Sequence, residues 1–183
     1  AFTFLYPHVV NFWWSCGAEI IPFSPLRNEA PADCDICWLP GGYPELHAGK
    51  LAAAHEFIDG LRCFAETKPV HGECGGYMVL GDVLEDADGV IHRMAGLLGH
   101  STSFAKRKMA LGYRQAHLEE DCLLGLKGEV IRGHEFHYAS VSAVDSDLPF
   151  ADLKDGQGRP LGASGGRRGN VSGTFFHAIA KAG

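Results

Sequence analysis

Apolar residues recur along this chain at two spacings, and the spacing changes from segment to segment. Residues 2–6 (FTFLY) form an extended apolar run and predict a strand. Val9, Val10, Trp13 and Trp14 then recur at helical spacing until Gly17 ends the run. "AEIIPF" predicts a second strand and "DICWLP" a third. The clearest helix is predicted over 50–67, where Leu51, Ala54, Ile58, Leu61 and Ala65 make one apolar stripe. "KPVHGEC" predicts a short strand that enters a glycine-rich turn. Strands alternating with helices predict an α/β fold, with a mostly parallel sheet and helices on both faces.

The second half changes character. Asp88-Gly89 sits between "VLEDA" and "VIHRM" as a hairpin turn. Further short strands are predicted over "MALGYRQAHL", "EVIRG" and "HYASVSAV". Residues 155–173 are rich in Gly, Arg and Ser and predict a mobile loop or a loose hairpin. "NVSGTFFHAIA" then closes the chain as a strand reaching His177. Without repeats or a low-complexity linker, residues 1–183 read as one domain. In a parallel sheet, function gathers at the carboxyl ends of the strands. Three features fall there: "LPGGYPE", the turn around Cys74, and His177.

Composition narrows the classes. At 183 residues the chain buries enough surface to need no staples. Its 46% apolar and 21% charged residues are those of an ordinary globule. A net charge of −6, with Lys106-Arg107-Lys108 as the one basic cluster, argues against nucleic acid as a partner. No apolar run is long enough for a membrane span, and the opening residues lack the pattern of a signal peptide. The chain lacks an initiator Met and opens inside a strand, so it is expected to be a domain of a longer protein. Six irregularly spaced cysteines suggest reduced thiols and a cytoplasmic location. Cys34 and Cys37 form a C-x-x-C with no second half, which leaves them as small apolar residues and gives no metal site.

The candidate chemistry centres on "VHGECGGYMVL". Cys74 stands among Gly72, Gly75 and Gly76 as in G-x-S-x-G, where a nucleophile rides a tight turn from strand to helix. A helix N-terminus after Cys74 would favour the thiolate, and a histidine would act first as its partner and then as the acid for a leaving amine. The N–H of Gly75 is placed to be one oxyanion donor. The Gly41-Gly42 pair, through Gly42, could supply the other. Ten histidines leave the base open between His177 and the pair His134 and His137, with Glu135 between the latter two.

Taken together, "LPGGYPE", "GECGGYM", "ALGYR", "GHEFH" and "GNVSGTFFH" resemble the C-terminal glutamine amidotransferase domain of cobyrinic or hydrogenobyrinic acid a,c-diamide synthases, in order from Ala1 to His177. The resemblance implies a flavodoxin-like class I glutamine amidotransferase fold, with Cys74 as nucleophile and His177 as its histidine. The broader class carries H-P-E at this point. Here the run is His177-Ala178-Ile179, so the orienting acid is missing, with Glu135 as one candidate and a Cys-His dyad as the other. Glutamine would be the substrate, and its ammonia would serve ATP-dependent amidation of the corrinoid a and c carboxylates in an N-terminal synthetase domain. ATP and Mg belong to that absent domain, since no G-x-x-x-x-G-K-[ST] occurs here. Arg107, five residues before "GYR", matches a basic position suited to the glutamine carboxylate, or is a solvated charge. Tyr43 and Glu45 are expected to shape the glutamine pocket or the contact with the synthetase domain. A homodimer of the full-length protein is left open. Two other readings remain: a peptidase-like G-x-C-x-G hydrolase, and a domain dormant until it meets its partner.

Overall fold

Residues 1–106, 109–142 and 147–182 are described by a computed structural model. In chain order its elements begin with β1 (Phe2–Phe4), α1 (Pro7–Ser15), β2 (Cys37–Leu39), β3 (Gly41–Gly42), α2 (Ala48–Ala52), α3 (His55–Thr67), β4 (Val70–Glu73) and α4 (Gly75–Leu80). Then come β5 (Val83–Glu85), β6 (Ile91–Arg93), β7 (Ser101–Ser103), β8 (Ala110–Leu118), β9 (Val130–His137) and β10 (Ser140–Ser142). β11 (Ala151–Asp155), β12 (Pro160–Ser164), β13 (Gly166–Arg168), β14 (Val171–Thr174) and β15 (Phe176–Lys181) complete the chain.

The expected α/β architecture is present, with parallel pairing confined mainly to its centre. β2, β4 and β14 run parallel, with β4 between the other two, and β13 adds an antiparallel edge. A second, antiparallel sheet has the order β12-β11-β8-β9-β15. A four-stranded sheet, β10-β7-β5-β6, and the small β1-β3 pair complete the set. Hairpin closure at Asp88-Gly89 follows the sequence expectation: β5 and β6 pair antiparallel, and Gly89 takes φ +79°. The glycine-rich stretch after Asp155 is also a hairpin, pinned where Asp155 Oδ1 accepts from the N–H groups of Gln157 and Arg159. Part of "HYASVSAV" lies outside the described residues.

Two sequence expectations change. The helix expected over 50–67 is broken, with α2 ending at Ala52 and α3 starting at His55. The break frees the first N–H groups of α3 for another partner. Asn28, itself left-handed at φ 61°, supplies it, its Oδ1 accepting from Phe57 N–H at 3.1 Å. The predicted stripe survives, since Leu51, Ala54, Ile58, Leu61 and Ala65 are all buried. The strand expected over "AEIIPF" does not form, because residues 18–23 lie outside every sheet. Helix α1 ends as predicted, with Gly17 at φ +84° and the N–H groups of Ala18 and Gly17 returning to Trp13 and Trp14 carbonyls. Yet none of its residues is buried.

One core gathers around β4, α3 and α4, where Val70, Leu61, Val79 and Leu80 are fully enclosed. A smaller one lies under the antiparallel sheet, around Phe150, Leu153 and Phe176. The tightest contact of the first core is backbone on backbone. A Cβ on Gly76 would stand 2.0 Å from the Leu39 carbonyl oxygen, and one on Gly72 would stand 2.7 Å from the carbonyl carbon of Gly76. Gly76→Ala is therefore expected to cost about 3 kcal/mol and to lower Tm by roughly 6–12 °C. Gly49→Ala, whose Cβ would meet nothing closer than 3.6 Å on a helix, should be neutral or stabilising by up to about 1 kcal/mol. Thermal unfolding of the two variants checks the contrast.

Candidate functional site

Strand β4 is buried along its whole length and delivers Cys74 to a sharp turn. Cys74 takes φ 48°, ψ −102°, a conformation that a residue with a side chain holds only when its surroundings enforce it. They do so at both ends of the residue. Its N–H donates to Thr174 O at 2.8 Å, and its carbonyl accepts from Met78 N–H at 3.0 Å, which opens α4. Gly76 N–H is held by Pro40 O at 3.2 Å. The glycines that looked like turn residues in the sequence thus have a second role, letting α4 lie directly on β2.

The thiol is surrounded by backbone. Burial pushes the Cys74 pKa up to about 12, while the N–H groups of Gly75 and Gly42 both bond toward the sulfur and pull the other way. Glu45 and Glu73 add to the upward shift through their charge. Sγ faces Phe136 O at 3.7 Å. Two N–H groups trained on one sulfur from two separate elements, β3 and the start of α4, form the donor pair that an oxyanion at this point would require. The cleft beside Cys74 is small, about 30 Å³, and is lined by Gly42, Tyr43, Glu45, Met78, Phe136 and His137 among others. A far larger cavity, about 460 Å³, lies elsewhere, between 18–26 and β2.

His177 lies on β15, fully buried. Its ring lies parallel to that of His134, its register partner across β9, with centroids 4.8 Å apart. Tyr6 hydroxyl bonds His134 Nε2 at 2.8 Å and sets its own ring edge-on to His177. Burial, then the proximity of His134 and His137, lowers the His177 pKa to about 4. Gly41 packs against this imidazole so closely that a Cβ there would stand 2.5 Å from Cε1. Adjacent glycines therefore touch both groups: Gly41 the ring of His177, Gly42 the sulfur of Cys74. His137, the other candidate base, instead stacks on Phe175 at 3.8 Å, with its Nδ1 at 3.1 Å from Ala139 O.

The carboxylate beside the imidazole is not Glu135. Because His134 pairs with His177, its neighbour Glu135 points to the opposite face of β9. There Glu135 accepts from Arg114 Nε at 2.6 Å. The acid facing His177 is Glu73, which directly precedes Cys74, with Oε2 3.8 Å from Nδ1. Glu73 Oε1 accepts from Ala178 N–H at 3.1 Å, so this carboxyl is tied to the strand that carries the imidazole. Nδ1 itself has no hydrogen-bond partner among the described residues. Burial raises the Glu73 pKa to about 8 against the pull of the Ala178 N–H. A charged residue type inside the otherwise buried run "VHGEC" was the available sequence signal. Tyr43 is half exposed and packs edge-on against Phe4 at 5.1 Å. Arg107 lies outside the described residues. All six cysteines are free, and no group of three potential metal ligands gathers among the described residues.

Residues 13–183 match the profile of the CobB/CobQ-like glutamine amidotransferase domain. The chain belongs to this family. Hydrogenobyrinate a,c-diamide synthase of Mesorhizobium japonicum is 70% identical over 183 residues, the whole of this chain and 42% of that protein. The protein of the same name from Agrobacterium fabrum is 71% identical over 184 residues, again 42% of its length, and that of Rhodobacter capsulatus is 52% identical over 181 residues. The amidotransferase domain thus spans less than half the length of these relatives. Two Thermotoga maritima structures share its fold. PurLQS has a TM-score of 0.55 at 22% identity, covering 81% of this chain and 71% of that one. A glutamine amidotransferase has a TM-score of 0.56 at 13% identity, covering 92% and 68%. No helix among the described residues is long and apolar enough to cross a membrane.

The raised Glu73 pKa carries a stability consequence of definite sign. Between its ordinary value of 4.5 and about 8, the folded domain keeps a proton that the unfolded chain releases. Glu73 therefore favours folding fully below that window, and its contribution is lost as pH rises through it. Glu73→Gln should gain stability relative to the parent progressively from pH 5 to pH 8. Urea unfolding midpoints of both proteins across that range measure it.

Proposed function

We propose that this domain hydrolyses glutamine to glutamate and ammonia through a Cys74 thioester. The observation that carries the reading is the pair of N–H groups, Gly75 and Gly42, directed at a cysteine on an enforced strand-to-helix turn. The thiol proton passes toward the imidazole of His177 as sulfur attacks the side-chain amide carbon. The carbonyl oxygen gathers charge between the two N–H groups. The protonated imidazole then hands its proton to the departing nitrogen, and ammonia leaves. Water, losing a proton to the same ring, attacks the thioester and releases glutamate. Glu73 faces the ring from its Nδ1 side, 3.8 Å away, and sets its carboxyl dipole beside the charge that His177 acquires.

In the longer protein the ammonia would pass to an N-terminal synthetase domain and amidate, with ATP, the a and c carboxylates of hydrogenobyrinic acid. That extension rests on relatives that bear this activity in their name and are 70% and 71% identical to this chain. Glutamine, the synthetase domain, ATP and Mg enter the reading as what the resemblance to the family implies, and a place in the cytoplasm rests on six free cysteines. Tyr43, which lines the cleft beside Cys74, is assigned to the glutamine pocket.

A second reading, dormancy of the domain by itself, has one observation in its favour. The thiol at about 12 and a cleft of about 30 Å³ describe a site that is neither ionised nor open to an amino acid. The two readings differ only in what opens the site, the substrate or the partner domain.

A diazo-ketone analogue of glutamine tests the reaction. Mass spectrometry should place the adduct on Cys74, and glutamine should block it. An adduct elsewhere, or one that glutamine does not block, would sink the glutaminase assignment. Labelling that requires the synthetase domain would select the dormant state for the isolated domain. In the full-length protein, Cys74→Ser and His177→Asn should each lower glutamine hydrolysis by about 10³-fold or more. Glu73→Gln should lower kcat by about tenfold with KM little changed, since it acts on the imidazole and not on the substrate.

A further inference from the structure

Among the described residues, Nδ1 of His177 has no hydrogen-bond partner, and Glu73 Oε2, at 3.8 Å, stands outside hydrogen-bond range. No bond on that side fixes the plane of the ring. The torsion that turns an imidazole about its Cβ–Cγ bond is broad, so rotamer preference does not fix the plane either. Packing has to do it. Gly41 closes on one edge at Cε1, and His134 covers a face, with the two ring planes 8° apart and the centroids at 4.8 Å. A turn of His177 about Cβ–Cγ would drive its edge into the face of His134.

This stack is built in at three levels. His134 and His177 are register partners on β9 and β15, so their side chains leave the sheet on the same face. The strands close up here because the neighbour of His134 is Gly133, where a Cβ would stand 1.9 Å from the His177 carbonyl oxygen. Tyr6 then fixes His134 in turn. Its hydroxyl lies 2.8 Å from Nε2, and its ring stands edge-on to both imidazoles at 6.0 Å. Tyr6 is itself anchored as the N-cap of α1, its carbonyl accepting from the N–H groups of Val9 and Val10 at 3.0 and 3.2 Å. The cleft beside Cys74 is lined by Phe136 and His137 of β9 but not by His134. Burial lowers the His134 pKa, which keeps this ring neutral beside one that must take up a proton.

We propose that His134 is a positioning residue of the reaction. Its ring face, clamped by the Tyr6 hydroxyl, sets the plane of His177 and keeps the nitrogen away from Glu73 turned toward Cys74. The pair Tyr6 and His134 thus supplies by packing the orientation that a hydrogen-bonded carboxylate supplies in a catalytic triad. This role presupposes Cys74 and His177 as the reacting pair, and it leaves substrate binding to the cleft.

Two rates measured on the full-length protein test it: glutamine hydrolysis, and alkylation of Cys74 by iodoacetamide, located by mass spectrometry. Alkylation forms an S–C bond, expels iodide and leaves the thiol proton on His177, so it reads the placement of the ring without glutamine. His134→Ala should lower kcat by about 10- to 100-fold and slow alkylation by a similar factor, with KM within about twofold of the parent. His134→Phe restores a flat ring on the same face and should recover both rates to within about threefold. Tyr6→Phe should lower both by about two- to tenfold, and should cost nothing more once His134 is Phe. Parental rates in His134→Ala overturn the proposal. So does a loss confined to KM, which would place His134 on the substrate. His134→Phe no better than His134→Ala at an equal urea midpoint also overturns it, since a nitrogen and not the ring face would then be what counts. If His134→Ala has lost its fold, His134→Phe and Tyr6→Phe decide, and parental rates in Tyr6→Phe count against the clamp. A parent protein that hydrolyses no glutamine removes the glutaminase reading, while the alkylation rates still decide what His134 does.

Discussion

The first turn of α4 lies on the backbone of β2 with no side chain between them, and the site is arranged around that contact. At Gly76 the gap to the Leu39 carbonyl is too narrow for a methyl group, and Gly72 is equally hemmed in by Gly76 itself. The strand and helix can therefore meet only at an acute turn, and the residue at the turn must take the positive φ seen at Cys74. The N–H of that residue goes to Thr174, the last residue of β14. Three residues further on stands His177. A single packing constraint thus sets the sulfur, the N–H groups of Gly42 and Gly75 beside it and the start of the segment that carries the imidazole.

The same enclosure determines the charge state. Burial is the first cause of the shift at each of the three groups, taking the thiol to about 12, His177 to about 4 and Glu73 to about 8. At neutral pH the three groups therefore rest as a thiol, a neutral imidazole and a protonated carboxyl. On the proposed mechanism an ion pair forms only as the sulfur attacks, when the carbonyl oxygen meets the N–H groups of Gly42 and Gly75.

What the sequence disclosed follows the range of the forces involved. Turn chemistry is local, so Cys74 and its glycines were legible from five residues. The buried stripe of α3 was legible too, because helical spacing survives whatever happens at the helix end; the break at Ala53-Ala54 depends on Asn28, remote in sequence. His177 could not be separated from His134 and His137 by pattern, since all three lie on strands and the distinction is which face each presents. Glu135 stands between two histidines and is one candidate for the orienting acid, beside a Cys-His dyad, but strand alternation turns it toward Arg114. Glu73, next to Cys74 in a glycine-rich turn, carries no local pattern that marks it as the acid facing His177. The family resemblance points to His177 where spacing leaves the three open, because it carries the register that spacing does not.

"AEIIPF" shows the opposite limit. Its composition is that of a strand, yet strand structure is a property of pairs, and among the described residues no strand pairs with it. The site depends on β2, which lies beside it. One edge of β2 supports β4 and the Cys74 turn. The carbonyls of Leu39 and of the following Pro40 meet α4, and the chain continues into β3, which carries Gly42. Ala1 packs on Gly42, a Cβ there standing 1.7 Å from the Ala1 oxygen, and the Ala1 carbonyl accepts from Tyr43 N–H at 2.8 Å. The backbone of Gly42 is thus fixed from two sides, by the strand that leads into it and by the first residue of the chain.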